Sequence, residues 1–363
     1  MKKLLFLSLS TALMAVFMFT ACQKDKVEAV SDTQQQVTEE TNYYTPDLGD
    51  FVTSRSGYWT EIPAGSVDAL NQAIAEADAG GVIYLKAGMH TETGRVTVNK
   101  RVAIIGEDGA VLRVSSPDTT AEVNPGLHVL NAPGTLVKNL VIEPIEAISG
   151  CGIMFENSPQ SAVLNSDISK FKWGVLVEKS DRMAIIGNHF QVCTANAILV
   201  NNGKSAYIGN NEIEGTADSG IWACDEWGTM ENNHFHDNAS GALLCNWSVV
   251  FEVLTPSGEP LGAIKTCIGW KLRNNKFTGN YLEGGLKIRD SAHLNLIESN
   301  NEFSDNFPYD IWIPADEDFL PIIYIPAAYK NTIYATPDVL IKDCGVDNVI
   351  NGGTMVDTSV DPC

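Results

Sequence analysis

Two basic residues stand where they could act together on one anionic group. Lys287 and Arg289 are two residues apart, with Glu283 before them and Asp290 after them. Arginine binds a carboxylate through two parallel hydrogen bonds, and an unprotonated lysine serves as a base. The set predicts proton abstraction beside a carboxylate, with Lys287, Arg289, Asp290 and Glu283 as the catalytic candidates. A salt-bridged surface pair is the alternative.

Nearby carboxylates add a second chemistry. The candidates are Asp218, Asp225, Glu283 and Asp290. Carboxylate oxygens suit Ca²⁺, and two carboxyl groups at the right separation perform acid-catalysed hydrolysis. The sequence contains no cofactor-binding motif, so no cofactor is predicted. Ca²⁺ is a possible ion at these carboxylates.

Flat aromatic side chains indicate where a ligand could bind. Trp222 and Trp312 offer apolar faces that can stack on sugar rings, or they pack beneath loops. Asp225, Asn201 and Glu178 are predicted to contact the ligand beside them. We therefore count these five residues as candidate binding residues.

Histidines recur in one slot of the sequence pattern. His189, Glu212 and His234 occupy equivalent positions in successive repeats, and His236 is close by. Imidazole and carboxylate are zinc ligands, but stacked polar side chains are also ordinary on a repeat surface. No metal site is assigned on this pattern alone.

A repeat of about two dozen residues must position these side chains. A small residue followed by alternating apolar residues recurs every 21–26 residues, with one double spacing of 44. These blocks begin at Gly126, Gly152, Gly174, Ala197, Gly220, Gly241, Gly285 and Asp310. Second blocks end in an apolar residue at Phe190, Ile213, Phe235, Phe277 and Phe303. Alternation within such a period predicts short strands in stacked coils.

Alternation also assigns directions to the side chains. The inward residues are predicted to be Ile153, Val175, Ile198, Ile221, Ala242, Leu286 and Ile311. The first outward column then contains His128, Met154, Leu176, Leu199, Trp222, Leu243, Lys287 and Trp312. The second contains Leu130, Glu156, Glu178, Asn201, Cys224, Cys245, Arg289 and Pro314. An apolar outward strip indicates a covering loop, a partner or a ligand groove.

These repeats resemble the right-handed parallel β-helix of the pectin-lyase-like superfamily over about residues 82–350. The resemblance implies an all-β, single-stranded parallel solenoid with an N-terminal capping helix. The Asn in the second blocks resembles the asparagine ladder of that fold. No specific catalytic family is matched. The implied function is a polysaccharide lyase or glycoside hydrolase. The alternative is a non-catalytic module that binds glycan or protein through the apolar strip.

The ends and insertions complete the predicted domain at 51–363. A cap at 51–81 contains an amphipathic helix from Ser66 to Gly80 or Gly81, with the first strand at Val82. Insertions at 247–269 and 314–337 are predicted to wall the coil that holds Lys287 and Arg289. The position of the first insertion decides between the enzyme and the binding module. An insertion that folds over the apolar strip disfavours a long glycan groove, and one that stands beside the strip favours it.

The N-terminus is predicted to direct export. Lys2 and Lys3, an apolar run and Ala21-Cys22 resemble a bacterial lipoprotein signal, which places the signal at 1–21 and lipidation at Cys22. Polar residues 22–50 are predicted to be a flexible tether. The protein is then exported and lipid-anchored in the cell envelope, at the outer membrane. A signal peptide without lipidation is the alternative.

Net charge and cysteine content limit which ligands and which disulfides the protein can have. The 363 residues carry a net charge of −21, which argues against nucleic-acid binding. Seven cysteines follow Cys22, so at least one remains a thiol after pairing. Cys224 and Cys245 are predicted neighbours on adjacent coils, either as a disulfide or as stacked thiols.

Overall fold

Stacked three-sided coils contain most of the described residues from 57 onward in a computed structural model. It describes residues 43–47, 49, 57–117, 123–146, 149–245, 255–257, 267–315, 317–320, 323–325 and 327–363. Residues 43–363 cluster as one unit. The predicted signal, Cys22 and most of the tether lie outside the described residues. Among those described, no helix combines the length and apolarity needed to cross a membrane.

Each full coil contributes one strand to each of three faces, which we call A, B and C, with strands numbered β1–β32 in chain order. Face A contains β4 (Val96–Val98), β7 (Pro125–Leu130), β10 (Ser149–Glu156), β13 (Phe171–Glu178), β16 (Ile198–Lys204), β19 (Ser219–Glu226), β22 (Ser240–Cys245), β25 (Leu286–Arg289) and β28 (Ile311–Ile313). Successive face A strands pair in parallel.

Face B follows face A around the coil. It contains β1 (Trp59–Ile62), β2 (Gly81–Leu85), β5 (Val102–Gly106), β8 (Leu136–Lys138), β11 (Ala162–Leu164), β14 (Ala184–Ile186), β17 (Tyr207–Gly209), β20 (Thr229–Glu231), β23 (Lys271–Arg273), β26 (Leu296–Ile297) and β32 (Val349–Met355). Strand β31 (Thr332–Asp343) pairs with β26 at its start and with β28 near its end.

Face C is a separate nine-stranded sheet. It contains β3 (Gly88–Glu92), β6 (Ala110–Val114), β9 (Val141–Pro144), β12 (Asp167–Ser169), β15 (His189–Gln191), β18 (Glu212–Glu214), β21 (His234–His236), β24 (Lys276–Thr278) and β27 (Glu302–Ser304). Face C also shows how the core is layered. Phe277 stacks between Phe235 and Phe303 with ring centroids 4.7 Å apart on both sides.

The predicted inward column is confirmed. Its seven members are all fully buried in one continuous core. One coil cannot enclose its own interior, so the stacking of neighbouring coils supplies this burial. The all-β right-handed parallel β-helix expected from the sequence is therefore the fold of the chain.

Asparagine side chains tie the coils together, as the second blocks predicted. Nδ2 of Asn188, Asn211, Asn233 and Asn275 each donates to Oδ1 of the next ladder residue, ending at Asn301, over 2.9–3.1 Å. The preceding residues Asn210, Asn232 and Asn274 have positive φ. In each of these three Asn-Asn pairs, the first asparagine adopts the left-handed turn conformation. The second asparagine forms the ladder hydrogen bond.

The N-terminal cap differs from the sequence expectation. The helix α1 spans only Leu70–Glu76, and strand β1 precedes the predicted first strand at Val82 and pairs with it. Asp68 has a φ of 51°, so the helix cannot extend back to Ser66. The buried Glu92 carboxylate accepts the N–H of Leu70 at 2.8 Å and so caps the helix from a distant strand.

The domain boundaries also differ from the predicted ones. Tyr44 packs against the outer side of face B and Tyr43 lies under Lys271, so the domain begins within the predicted tether. The insertion after face A strand β28 contains an antiparallel hairpin, β29 (Glu317–Leu320) and β30 (Ile323–Ile325). It is shorter than 314–337, because Thr332 already pairs with Leu296.

One disulfide joins described residues. It links Cys344 to Cys363 and so fastens the C-terminal residues to the last coil. Cys224 and Cys245 carry thiols rather than a disulfide, which settles the alternative left by their spacing. Burial raises the pKa of Cys224 well above the usual value, so this thiol is not a nucleophile.

Candidate functional site

The first outward column of face A has the register that the sequence predicted. Met154, Leu176 and Leu199 pair in succession, and Trp222, Leu243, Lys287 and Trp312 continue the ladder. The sequence left open whether this column is covered or exposed to solvent. Met154, Leu176 and Leu199 are fully buried, although they point away from the core. Val123, Ala195 and Trp222 pack with them.

Residues 255–257 of the first insertion lie on this outer side, whereas Cys267, near its predicted end, is part of the core. Ser257 donates a hydrogen bond to Glu156 Oε1, and Thr255 is buried with it. These three residues therefore lie against the second outward column at Glu156, which is not on the coil of Lys287. Of the alternatives for the apolar strip, the burial of Met154, Leu176 and Leu199 favours a covered surface over an open groove. A long glycan groove along face A is disfavoured for the same reason.

A buried ion pair beneath this segment was not assigned a role from sequence. His128 Nε2 lies 2.9 Å from Glu156 Oε2, and both residues are almost inaccessible to solvent. Burial raises the pKa of Glu156, but hydrogen bonds from His128, Ser257 and Thr255 outweigh burial and leave the pKa below its usual value. His128 and Glu156 lie in neighbouring outward columns one coil apart, which is the sequence signal that could have paired them.

Lys287 and Glu283 form one of the ion pairs on β25. Lys287 Nζ lies 2.9 Å from Glu283 Oε1 and 4.3 Å from the centroid of the Trp312 ring. Lys287 is 3% exposed. The structure therefore brings together Lys287, Glu283 and Trp312, as predicted, but the ammonium occupies the ring face that a sugar would need.

Arg289 and Asp290 form the second ion pair. Arg289 Nε lies 2.8 Å from Asp290 Oδ2, and the same oxygen accepts from Cys245 Sγ at 2.9 Å. The four predicted catalytic residues thus meet at β25 and the residues that flank it. They form two ion pairs, each with no net charge. A base at Lys287 would first have to leave Glu283.

Polar side-chain atoms in the middle of face A have no hydrogen-bond partner within the described part of the chain. They are Oδ1 and Nδ2 of Asn201 and Nε1 of Trp222, and all three are buried. Glu178 pairs with Asn201 in register, and its carboxylate accepts a hydrogen bond from Asn202 Nδ2. Asn201 itself is fully buried. Buried polar atoms without partners are uncommon, so these three atoms need an explanation.

Asp225 does not join this set. It shares a side of β19 with the core residue Ala223, and only 3% of it is exposed. Burial is the main cause that raises the pKa of Asp225 well above the usual value, followed by the charges of Glu226 and Asp181. The prediction that Asp225 contacts ligand on the outer side is wrong, because strand alternation places Asp225 on the inward side with Ile221 and Ala223.

The predicted calcium carboxylates do not come together either. Asp218 accepts from Ser219, Glu283 and Asp290 are held in ion pairs, and Asp225 is inside. Within the described ranges, the group of side chains close enough to share an ion is Glu212, His234 and His236 on face C.

Comparisons with known proteins agree with this architecture. Residues 125–254 match the family model described as a right handed beta helix region. No curated protein matches the sequence. The mannuronan C-5 epimerase AlgE6 A-module of Azotobacter vinelandii has a similar structure, at 13% identity and a TM-score of 0.55, over 81% of this chain and 92% of that one.

Two further solved structures have the same fold. The AlgE4 A-module of the same organism shows 14% identity and a TM-score of 0.54, over 80% of this chain and 92% of that one. A polygalacturonase from Erwinia carotovora shows 10% identity and a TM-score of 0.52, over 84% and 97%. At these identities the likeness shows that the chain has a right-handed parallel β-helix fold, and function rests on the site.

Proposed function

We propose that the protein recognises polysaccharide at a short site on the outer side of β16 and β19. The observation that carries the proposal is the set of buried, unpartnered polar atoms of Asn201 and Trp222. A sugar hydroxyl both donates and accepts, so one sugar unit can satisfy both atoms of the Asn201 amide. The apolar indole face of Trp222 packs on the sugar ring, and Glu178 accepts from a further hydroxyl.

The cover over face A limits the length of glycan that this site holds. Ser257 on Glu156 closes the side of the site nearer the N-terminus, and the Lys287–Trp312 contact occupies the other side. The proposed ligand is therefore a few sugar units or a chain end between these contacts, and a long chain along face A is disfavoured. Two of the structural neighbours are a mannuronan epimerase and a polygalacturonase, which supports carbohydrate as the ligand class.

Catalysis on the bound glycan is the second candidate function. The specific observation is that two cations and two carboxylates converge on β25, next to Trp312. In a lyase step, Arg289 would hold a uronate carboxylate and Lys287 would remove the neighbouring proton after release from Glu283. In a hydrolase step, Glu283 and Asp290 would be the acid pair.

The test measures binding and turnover on the same polysaccharide panel. We expect the full-length protein to be retarded in gels that contain its polysaccharide, and Trp222→Ala to weaken retention at least tenfold. Trp59→Ala is the matched control, because Trp59 is an exposed tryptophan on face B. Asn201→Ala should weaken retention too, and circular dichroism would show that both variants are folded.

Turnover distinguishes the two candidates. Unsaturated-product absorbance that disappears in Lys287→Ala and Arg289→Ala would establish a lyase, and new reducing ends without it would indicate hydrolysis. Retention without either product supports a binding module. Retention that is equal in Trp222→Ala and in the wild type would refute the site, and a panel with neither retention nor product would refute the function.

We also propose that Cys22 is lipidated and anchors the protein in the bacterial outer membrane, with residues after it as the tether. The support is the signal-like sequence that precedes Cys22. Cells fed labelled palmitate should incorporate the label into the protein, and Cys22→Ser should abolish incorporation and release the protein from the membrane fraction. Cys193→Ala, at a buried thiol, should keep both. Equal labelling of Cys22→Ser and wild type would contradict the anchor.

A further inference from the structure

Three potential metal ligands meet on the outer side of face C, away from the proposed glycan site on face A. Glu212 and His234 are register partners on β18 and β21, and His236 lies two residues further along the same side. One ligand atom from each residue lies within 4.8 Å of the other two. The imidazole rings of His234 and His236 have centroids 4.5 Å apart.

The hydrogen bonds of the two histidines leave room for an ion. His234 Nε2 is inaccessible to solvent and has no hydrogen-bond partner among the residues that the structure describes. His236 Nδ1 lies 3.0 Å from Asp237 Oδ2, while its Nε2 lies 3.3 Å from Glu212 Oε1. A carboxylate that holds one ring nitrogen of a histidine orients the other nitrogen toward a metal. Asp237 holds His236 in this way.

We propose that Glu212, His234 and His236 bind one divalent transition-metal ion, with Zn²⁺ as the best match. Two imidazole nitrogens and one carboxylate oxygen form a common zinc ligand set, and a fourth position stays open for water or an external ligand. Calcium and magnesium prefer oxygen ligands, so this donor set selects against them.

Small side-chain movements complete the geometry. Ligand atoms around a tetrahedral zinc ion lie roughly 3.4 Å apart when each bond is about 2.1 Å long. Glu212 has 54% of its side chain exposed, so it can rotate toward the imidazoles with little cost. Strand β21 holds both histidines in place, which leaves the Glu212 carboxylate on β18 as the adjustable ligand.

The surrounding charges favour a dication. Glu212, Glu214 and Asp237 face His236, and Lys276 is the register partner of His234. These four groups sum to two negative charges, which one divalent ion neutralises. His189 is held separately by Glu214 at 3.1 Å and Asp167 at 3.5 Å, so it is not counted among the ligands.

Equilibrium dialysis of the untagged full-length protein against Zn²⁺, followed by metal analysis, tests the proposal. We expect one zinc ion per chain. His234→Gln, His236→Gln and Glu212→Gln should each weaken binding at least tenfold. The matched controls are His293→Gln, whose ring stacks on Tyr329, and Glu302→Gln, two strands along the column from His234. Both controls should bind as the wild type does.

Cobalt provides a readout of geometry that does not depend on affinity. Co²⁺ bound at the site should show the visible absorption of a four-coordinate ion, and His234→Gln should remove it. Failure of the wild type to bind zinc stoichiometrically would overturn the proposal. Equal binding by wild type and all three ligand variants would overturn it as well. Neither result bears on glycan retention, which is measured without added metal.

Discussion

Asn233→Ala is expected to destabilise the β-helix by more than about 3 kcal/mol, since each buried group left without a partner costs roughly 1–3 kcal/mol. Asn233 Nδ2 donates to Ile208 O at 2.9 Å and to Asn275 Oδ1 at 3.0 Å. Its Oδ1 accepts from both the N–H and the Nδ2 of Asn211, at 3.1 and 2.9 Å. Alanine removes all four hydrogen bonds and leaves donors and an acceptor buried on two neighbouring coils.

Urea denaturation followed by circular dichroism measures this loss. The control is Asn232→Gly, one residue earlier, where the side chain is exposed and φ is 56°. Glycine adopts this left-handed conformation readily, so the control should change the stability by less than about 1 kcal/mol. If the urea midpoint of unfolding of Asn233→Ala is close to that of Asn232→Gly, the asparagine ladder does not stabilise the fold.

The sequence determined the fold and the register because two periodicities agree in it. Alternation within a block fixes which residues point inward, and the repeat fixes which residues stack. Ile198 and Ile221, for example, are both inward and paired as predicted. A single-residue slip would turn a whole strand over, so only one register satisfies the alternation of every block.

Local reasoning failed where a distant residue decides the local structure. The predicted helix start at Ser66 looked favourable, but Ser66 Oγ donates to Pro63 O instead of capping the helix. The helix begins at Leu70, where Glu92 from β3 supplies the acceptor. No pattern within residues 66–81 contains that information.

The candidate site was predicted in direction but not in exposure. The outward columns place Trp222, Asn201 and Glu178 together, and the structure does so as well. The contact of Ser257 with Glu156 joins residues 101 apart in sequence, which no local pattern predicts. The ion pairs of Lys287 and Arg289 similarly depend on side-chain geometry. Asp225 was misplaced because alternation along β19, which puts it on the inward side with Ala223, was not applied to it.

Asp225→Asn is expected to stabilise the protein at neutral pH by roughly 1–3 kcal/mol, because a neutral amide costs less to bury than a carboxylate. Among the described residues, Asp225 Oδ1 has no hydrogen-bond partner. Burial raises the pKa of Asp225 well above the usual value, so the folded protein must either bury the charge or take up a proton. Asparagine occupies the same volume and carries no charge, which removes that penalty.

The pH dependence provides the decisive comparison. Because its pKa is raised in the folded state, Asp225 lowers the stability of the wild type as pH rises above the ordinary aspartate pKa, and the loss stops above the folded pKa. The stability gain of Asp225→Asn should therefore be present at neutral pH and vanish once the pH falls below that ordinary value. Thermal unfolding across this range measures it. Asp305→Asn, at an exposed turn, should show no such trend. A gain that does not change with pH would show that packing, and not the buried charge, separates the two proteins.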